Sequence, residues 1–167
     1  MTDIDIAIED ERWERCGLPA LAERAARGVF ERLGLTGNAA EISILACDDA
    51  RIAALNADFR GKPQPTNVLS WPAEDLAAEA PGGMPEAPAA GPDGVVELGD
   101  IAIAWETCAR EAADQGKEFS SHLCHLLVHS ILHLLGFDHV RDADAALMEG
   151  LEIEILGKMG IDDPYRH

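Results

Sequence analysis

The chain has 167 residues, 47% of them hydrophobic, which suits one globular domain (1–167) with one core and excludes a disordered chain. Thirteen basic and thirty-one acidic residues give a net charge of −18, which disfavours nucleic-acid binding by a broad basic surface. No run of about 18 apolar residues occurs, so we expect no membrane span. The acidic N-terminus lacks the pattern of a secretion signal, and we expect a cytoplasmic protein.

The four cysteines are scattered along the sequence without a CxxC pair. In a reducing compartment such cysteines are typical of small core residues rather than of disulfides or zinc ligands. We therefore expect the following cysteines to be free thiols: Cys16, Cys47, Cys108 and Cys124.

The first third of the chain predicts strands alternating with helices. IDIAIE (4–9) alternates apolar and polar residues and predicts a first strand, and EISILAC (41–47) predicts a second. A helix is predicted between them over 19–33, with proline at its start and glycine after its end. Asp48 is a good N-cap for a further helix that ends near Gly61.

The rest of the chain predicts two more strands and three helices. VLSWP (68–72) predicts a short strand closed by its proline, and LGDIAIAW (98–105) predicts another. Residues 73–94 are rich in Ala, Pro and Gly and predict a long flexible loop, favoured as a solvated insertion over a binding lid. The predicted helices cover 106–115, 120–135 and 142–159. This order indicates an α+β fold with a small mixed four-stranded sheet covered by helices.

Four of the six histidines lie in one run, HLLVHSILHLLGFDHV (125–140). His129 and His133 are four residues apart, so on a helix their rings lie side by side and can share one Zn²⁺. Gly136 tolerates the left-handed conformation that ends a helix, and the chain can then fold back to bring His139 to the same ion. The sequence thus predicts a metal site on this helix and the turn after it.

Three imidazole ligands would leave one position of a single zinc ion open to water, as in catalytic rather than structural sites. The alternative is a histidine-rich core helix, but converging buried histidines each need a partner, and a metal satisfies them together. We expect Leu132 and Phe137 to make the apolar contact at the helix end. His125 is expected behind the ligands or in the core, while His122 and His167 are expected to be solvated.

The spacing H-x3-H-x2-G-x2-H is also that of the metzincin proteases, which place a glutamate base directly after the first histidine. In this chain Ser130 occupies that position. A serine hydroxyl is a poor base at neutral pH, so the sequence disfavours a metallopeptidase.

The sequence resembles the YbeY endoribonucleases, an rRNA maturation family. HLLVHSILHLLGFDH (125–139) resembles the family's HGxLHLxGxDH, with Ser130 in place of glycine. LNADFRGKPQPTNVLSWP (55–72) is similar to LNxxFRxxxxPTDVLSFP, with Asn67 and Trp71 as departures, and LGDIAIA is similar to LGDIxIS. The resemblance covers about residues 41 to 165.

This resemblance implies a single-strand-specific, metal-dependent endoribonuclease that matures the 3′ end of 16S rRNA and acts in ribosome quality control. The ribosome or small-subunit proteins would be its partners, and no nucleotide cofactor is expected. The zinc ligands carry over to His129, His133 and His139. The functional arginine of the family carries over to Arg60, which with His129 is expected to be catalytic.

Two points stay open from the sequence. Asp100 and Asp138 are candidates for a supporting or proton-transferring role, but Asp100 can simply orient a loop and Asp138 can accept the free N–H of a ligating histidine. The alternative function is a zinc-binding, ribosome-associated assembly factor with little catalysis of its own, which the charge of −18 supports.

Overall fold

The computed structural model describes residues 2–35 and 39–165, which build one mixed sheet with helices packed on it. The strands are β1 (Thr2–Ile8), β2 (Ala39–Cys47), β3 (Val68–Pro72) and β4 (Val95–Ala104). Their order is β1-β2-β4-β3, with β1, β2 and β4 parallel and β3 antiparallel at one edge. The predicted α+β fold with a mixed four-stranded sheet is confirmed.

The α-helices lie within one residue of their predicted bounds. They are α1 (Leu18–Leu33), α2 (Asp49–Arg60), α3 (Trp105–Asp114), α4 (Phe119–Leu134) and α5 (Asp142–Lys158). The Asp48 carboxylate accepts the Arg51 backbone N–H at 2.8 Å, which confirms the predicted N-cap of α2. Within the described part of the chain, no helix has both the length and the apolar character needed to span a bilayer.

A one-residue bulge in β4 lets the apolar side chains before and after it face the same core. The register with β2 shifts between Glu97 and Gly99, so the inward-facing positions change from even to odd numbers. These buried core residues are Val96, Leu98, Ile101 and Ile103. Gly99 has φ +136° and a Cβ there would lie 2.1 Å from the Trp71 carbonyl oxygen, so the bulge requires glycine. Because the bulge breaks the alternation, β4 begins three residues before its predicted start.

The main core lies between the sheet and helices α1, α4 and α5, and Trp13 closes one end of it. Trp13 belongs to a short 3-10 helix, Glu11–Arg15, which the sequence did not predict. Its indole is fully buried, its Nε1 donates to the Cys47 carbonyl at 2.8 Å, and its ring centroid lies 5.0 Å from that of Trp105. This contact ties the connection after β1 to the end of β2.

The cysteines are free thiols, as predicted. Three of them, Cys47, Cys108 and Cys124, are buried, and burial raises the pKa of each thiol. They therefore behave as small core side chains.

We predict that Trp13→Ala lowers the free energy of unfolding by about 3–5 kcal/mol, because it leaves a large cavity and an unpaired Cys47 carbonyl. Trp13→Phe is the matched control, which keeps most of the ring volume and loses only the indole donor, so its loss should be smaller. Urea unfolding followed by circular dichroism measures both. A Trp13→Ala variant as stable as the wild type would contradict this role of the indole.

Candidate metal centre

Helix α4 carries the first two predicted ligands and ends in a sharp turn. The Gly136 N–H donates to the His133 carbonyl at 3.0 Å, and the Phe137 N–H donates to the Leu132 carbonyl at 3.1 Å. This pair of bonds is the Schellman motif, and Gly136 has the positive φ of +102° that the motif needs. Leu132 and Phe137 are buried in the same core cluster, so the predicted helix ending is confirmed.

The rings of His133 and His129 are each held through Nδ1. His133 Nδ1 lies 3.1 Å from the Phe137 carbonyl oxygen, and His129 Nδ1 lies 2.9 Å from Glu152 Oε1. Since a carbonyl or carboxylate oxygen only accepts, each ring carries its proton on Nδ1. In the neutral rings the lone pair is therefore on Nε2, the arrangement found in zinc-binding histidines.

His139 follows the turn and lies close to His129, the first candidate ligand. Its ring centroid lies 5.2 Å from that of His129, and its side chain is 59% exposed. Asp138 Oδ1 accepts the backbone N–H of His139 at 2.7 Å, whereas His139 Nδ1 lies 3.7 Å from the same oxygen, too far for a hydrogen bond. Asp138 thus fixes the backbone at His139 and leaves the ring unrestrained.

The three histidines have nitrogen donors suited to a metal ion, but these donors do not converge on one position in this structure. Across residues 2–35 and 39–165, no three His, Cys, Asp or Glu side chains are arranged as a metal cage. His129 and His133 nevertheless offer two oriented Nε2 atoms, and the ring centroid of His139 lies 5.2 Å from that of His129. Fully buried Glu152 has no Lys or Arg partner among the described residues, so a cation held by His129 would balance its charge.

Glu152 of α5 lies beside the candidate ligand His129, and the sequence did not predict it there. Burial raises the pKa of its carboxyl, but hydrogen bonds from His125, His129 and Tyr165 outweigh burial and lower this pKa to about 2. A signal for it exists in the sequence, because Glu152 interrupts an apolar stripe at helical spacing. The other buried members of this stripe are Met148, Leu151, Ile155 and Leu156. A glutamate at a core position requires a partner.

The prediction that His122 is solvated is wrong. Its side chain is 4% exposed, and its Nε2 lies 3.0 Å from Glu111 Oε1. Burial lowers the pKa of His122, which favours the neutral ring. The Asn67 amide donates to the same carboxylate at 3.0 Å, which an ionised aspartate could not do, so the departure at Asn67 suits this structure. His167 lies outside the described residues.

Ser130 is buried in α4 and takes no part in the ligand set. Its Oγ donates to the Leu126 carbonyl at 2.8 Å, one helical turn earlier. This bond satisfies the hydroxyl inside the helix.

Arg60 is the last residue of α2, and its position is set by the turn that follows. The buried Asn56 amide donates to the Gln64 carbonyl at 2.9 Å and so holds that turn against the helix. Arg60 and Lys62 are both exposed. The Arg60 guanidinium makes no hydrogen bond or ion pair with another described residue, which leaves it available to a ligand.

Asp100 lies away from the histidines. It is exposed on β4, beside an aromatic pair of Phe59 and Trp71 whose ring centroids are 4.9 Å apart. All three line a groove of about 500 Å³ on the sheet face that α2 partly covers, and no histidine lines this groove. Among the described residues, Asp100 makes no hydrogen bond with a candidate metal ligand.

The loop 73–94 forms no helix or strand, and part of it packs against the turn at Gly136. Leu76 is buried, and a Cβ on Gly136 would lie 2.7 Å from the Leu76 backbone. Arg141 donates to two carbonyls of the loop at 2.8 and 2.9 Å. The start of the loop and the turn enclose a cleft of about 240 Å³ beside His133. The loop is thus partly a wall of the site, and its flexibility stays a prediction.

Comparisons with known proteins agree with the sequence motifs. A family model described as Endoribonuclease YbeY matches residues 4–160. A protein named Endoribonuclease YbeY from Ruegeria pomeroyi is 61% identical over 97% of this chain and 97% of its own length. One of the same name from Paracoccus denitrificans is 60% identical over 97% of this chain and 89% of its own length.

A solved structure shares the fold. The solution structure of TM1509 from Thermotoga maritima aligns with 99% of this chain and 100% of that chain, with a TM-score of 0.56. Its sequence identity is 20%, so this likeness bears on the fold alone.

We predict that Gly136→Ala lowers the free energy of unfolding by roughly 2 kcal/mol or more, because alanine is strained at this φ and its Cβ would collide with the Leu76 backbone. The control is Gly150→Ala in α5, where a Cβ meets no atom within 4 Å. That change should be neutral or stabilising by about 0.5–1 kcal/mol. Thermal unfolding of both variants measures the difference, and equal stability would refute the close contact between loop and turn.

Proposed function

The chain belongs to the YbeY endoribonuclease family, and from this premise we propose that it is a zinc-dependent endoribonuclease acting on single-stranded RNA. The observation that carries the metal dependence is the orientation of His129 and His133. Both rings use Nδ1 for a hydrogen bond to the protein and keep Nε2 for a ligand. Neither ring is committed to the core through both nitrogens.

The residues that would hold one zinc ion are His129, His133 and His139. A bound zinc ion supplies Lewis-acid chemistry, in that it polarises a phosphoryl oxygen and lowers the pKa of water. The Nδ1 atoms of His129 and His133 are held by hydrogen bonds, so these rings need little reorganisation to bind the ion. The cleft beside His133, bounded by the loop 73–94, would exclude part of the solvent from the scissile phosphate.

Arg60 would bind the phosphate backbone of the substrate. Its planar guanidinium can donate two parallel hydrogen bonds to a phosphate and neutralise charge that develops during cleavage. With Lys62 it forms a local basic spot on a chain whose net charge is −18. An exposed guanidinium without a protein partner fits this role better than a structural one.

We further propose 16S rRNA as the substrate, with cleavage during maturation of its 3′ end and in ribosome quality control in the cytoplasm. The charge of −18 supports docking through the ribosome or small-subunit proteins rather than through a broad basic surface. The same charge favours the second candidate function, a zinc-binding assembly factor with little intrinsic catalysis.

We expect purified wild-type protein to cut single-stranded RNA, and a chelator or His133→Ala to abolish the cleavage. Gel analysis of RNA digests, with zinc quantified in each preparation, tests this. The variant must be purified in parallel and shown to be folded, because a contaminating nuclease would cut RNA in both samples. Zinc without RNA cleavage in the wild type would favour the assembly factor.

We expect Arg60→Glu to lower kcat/KM for RNA cleavage by about tenfold or more, the effect of losing one charge-assisted phosphate contact. Arg27→Glu changes an exposed arginine on α1 by the same charge and serves as the matched control. Equal losses in the two variants would attribute the effect to net charge and count against a specific contact at Arg60.

A further inference from the structure

A buried polar cluster stands behind His129. Glu152 is fully buried, and its Oε1 accepts from His129 Nδ1 at 2.9 Å and from His125 Nε2 at 3.1 Å. Its Oε2 accepts from the Tyr165 hydroxyl at 2.6 Å. His125 Nε2 also lies 3.3 Å from that hydroxyl. One carboxylate thus joins a candidate metal ligand to two other side chains.

The cluster joins three distant parts of the chain. His125 and His129 lie one turn apart on α4, Glu152 comes from α5, and Tyr165 comes from the segment after α5. That segment is held in place because Lys117 Nζ donates to the Pro164 carbonyl at 3.0 Å. The C-terminal segment therefore reaches the back of the metal centre through a defined chain of hydrogen bonds.

We propose that Glu152 is a positioning residue for metal binding, held by Tyr165 and His125, and that it fixes the His129 tautomer with Nε2 facing the metal. The inference rests on the proposed zinc dependence and deepens it. A carboxylate only accepts, so it favours the neutral His129 tautomer that has its proton on Nδ1 and its lone pair on Nε2. Hydrogen-bonding partners of this kind raise metal affinity by 10–100-fold in metalloproteins.

His133 and His129 obtain their hydrogen-bond acceptors in different ways. His133 receives its acceptor, the Phe137 carbonyl, from the turn that ends its own helix. His129 lies in the middle of α4, where backbone carbonyls are already used by the helix. A side chain from another helix has to supply the acceptor, and Glu152 does so.

The chain contains a matched control. Glu111 accepts from His122 at 3.0 Å, and His122 is also buried on α4, but it is not one of the proposed ligands. Glu111→Gln therefore makes the same chemical change beside a histidine of the same helix. A purely structural role for buried Glu–His pairs predicts equal effects of Glu111→Gln and Glu152→Gln on zinc binding.

The experiment compares wild type, Glu152→Gln, Tyr165→Phe and Glu111→Gln. Zinc affinity is measured by competition with a chelating dye, and the His129 tautomer is read from ¹⁵N NMR of the metal-free proteins. We expect Glu152→Gln to bind zinc about 10–100-fold more weakly and to shift His129 toward the Nε2–H tautomer, because an amide can donate to Nδ1. Tyr165→Phe should weaken zinc binding less, and Glu111→Gln should leave both readouts unchanged.

The outcomes separate this inference from the proposed function. A wild-type chain that binds zinc, with Glu152→Gln equal to it in affinity and tautomer, overturns the positioning role and leaves the proposed function standing. A wild-type chain that binds no zinc overturns both. If Glu152→Gln does not fold, Tyr165→Phe decides, and unchanged zinc affinity in that variant overturns the inference.

Discussion

Most polar side-chain atoms of a buried helix need a hydrogen-bond partner, and α4 is buried along nearly its whole length. Nδ1 of His122 and Nδ1 of His125 are buried without a partner among the described residues. The partners come from the helix itself, from the turn after it and from two other helices. They are the Leu126 carbonyl for Ser130, the Phe137 carbonyl for His133, Glu111 for His122, and Glu152 for His125 and His129. For His129 and His133 the partner occupies Nδ1. The requirement to satisfy the core therefore also selects the tautomer that metal binding needs.

The charge of −18 constrains how this site can meet RNA. At physiological ionic strength, charges separated by more than about 8 Å are largely screened. Acidic residues far from the site therefore oppose RNA binding less than the net charge alone would indicate. Affinity for RNA then depends mainly on contacts at hydrogen-bond distance. Arg60 can make such a contact, because it is exposed beside a turn that Asn56 holds in place. A chain of this composition gains little from long-range electrostatic steering toward RNA.

Local signals in the sequence were enough for most of the fold. Helix ends were predictable because Asp48 and Gly136 act within one turn of their own positions, and the spacing of His129 and His133 is equally local. Glu152 and Tyr165 were missed because their histidine partners lie more than twenty residues away along the chain. The start of β4 was missed for another reason, since its bulge breaks the alternation on which a strand prediction rests.

Gly136 serves two neighbours at once, and this explains why the loop 73–94 cannot be treated as a passive insertion. The left-handed conformation ends α4 and sends the chain toward His139, while the missing side chain lets the Leu76 backbone pack directly on the turn. The loop thereby closes one side of the cleft beside His133. The same turn supplies the Phe137 carbonyl that bonds to His133. A shift of the loop that moved Gly136 would therefore also move the acceptor of the His133 ring. The position of the loop and the orientation of the His133 ring therefore both depend on the turn at Gly136.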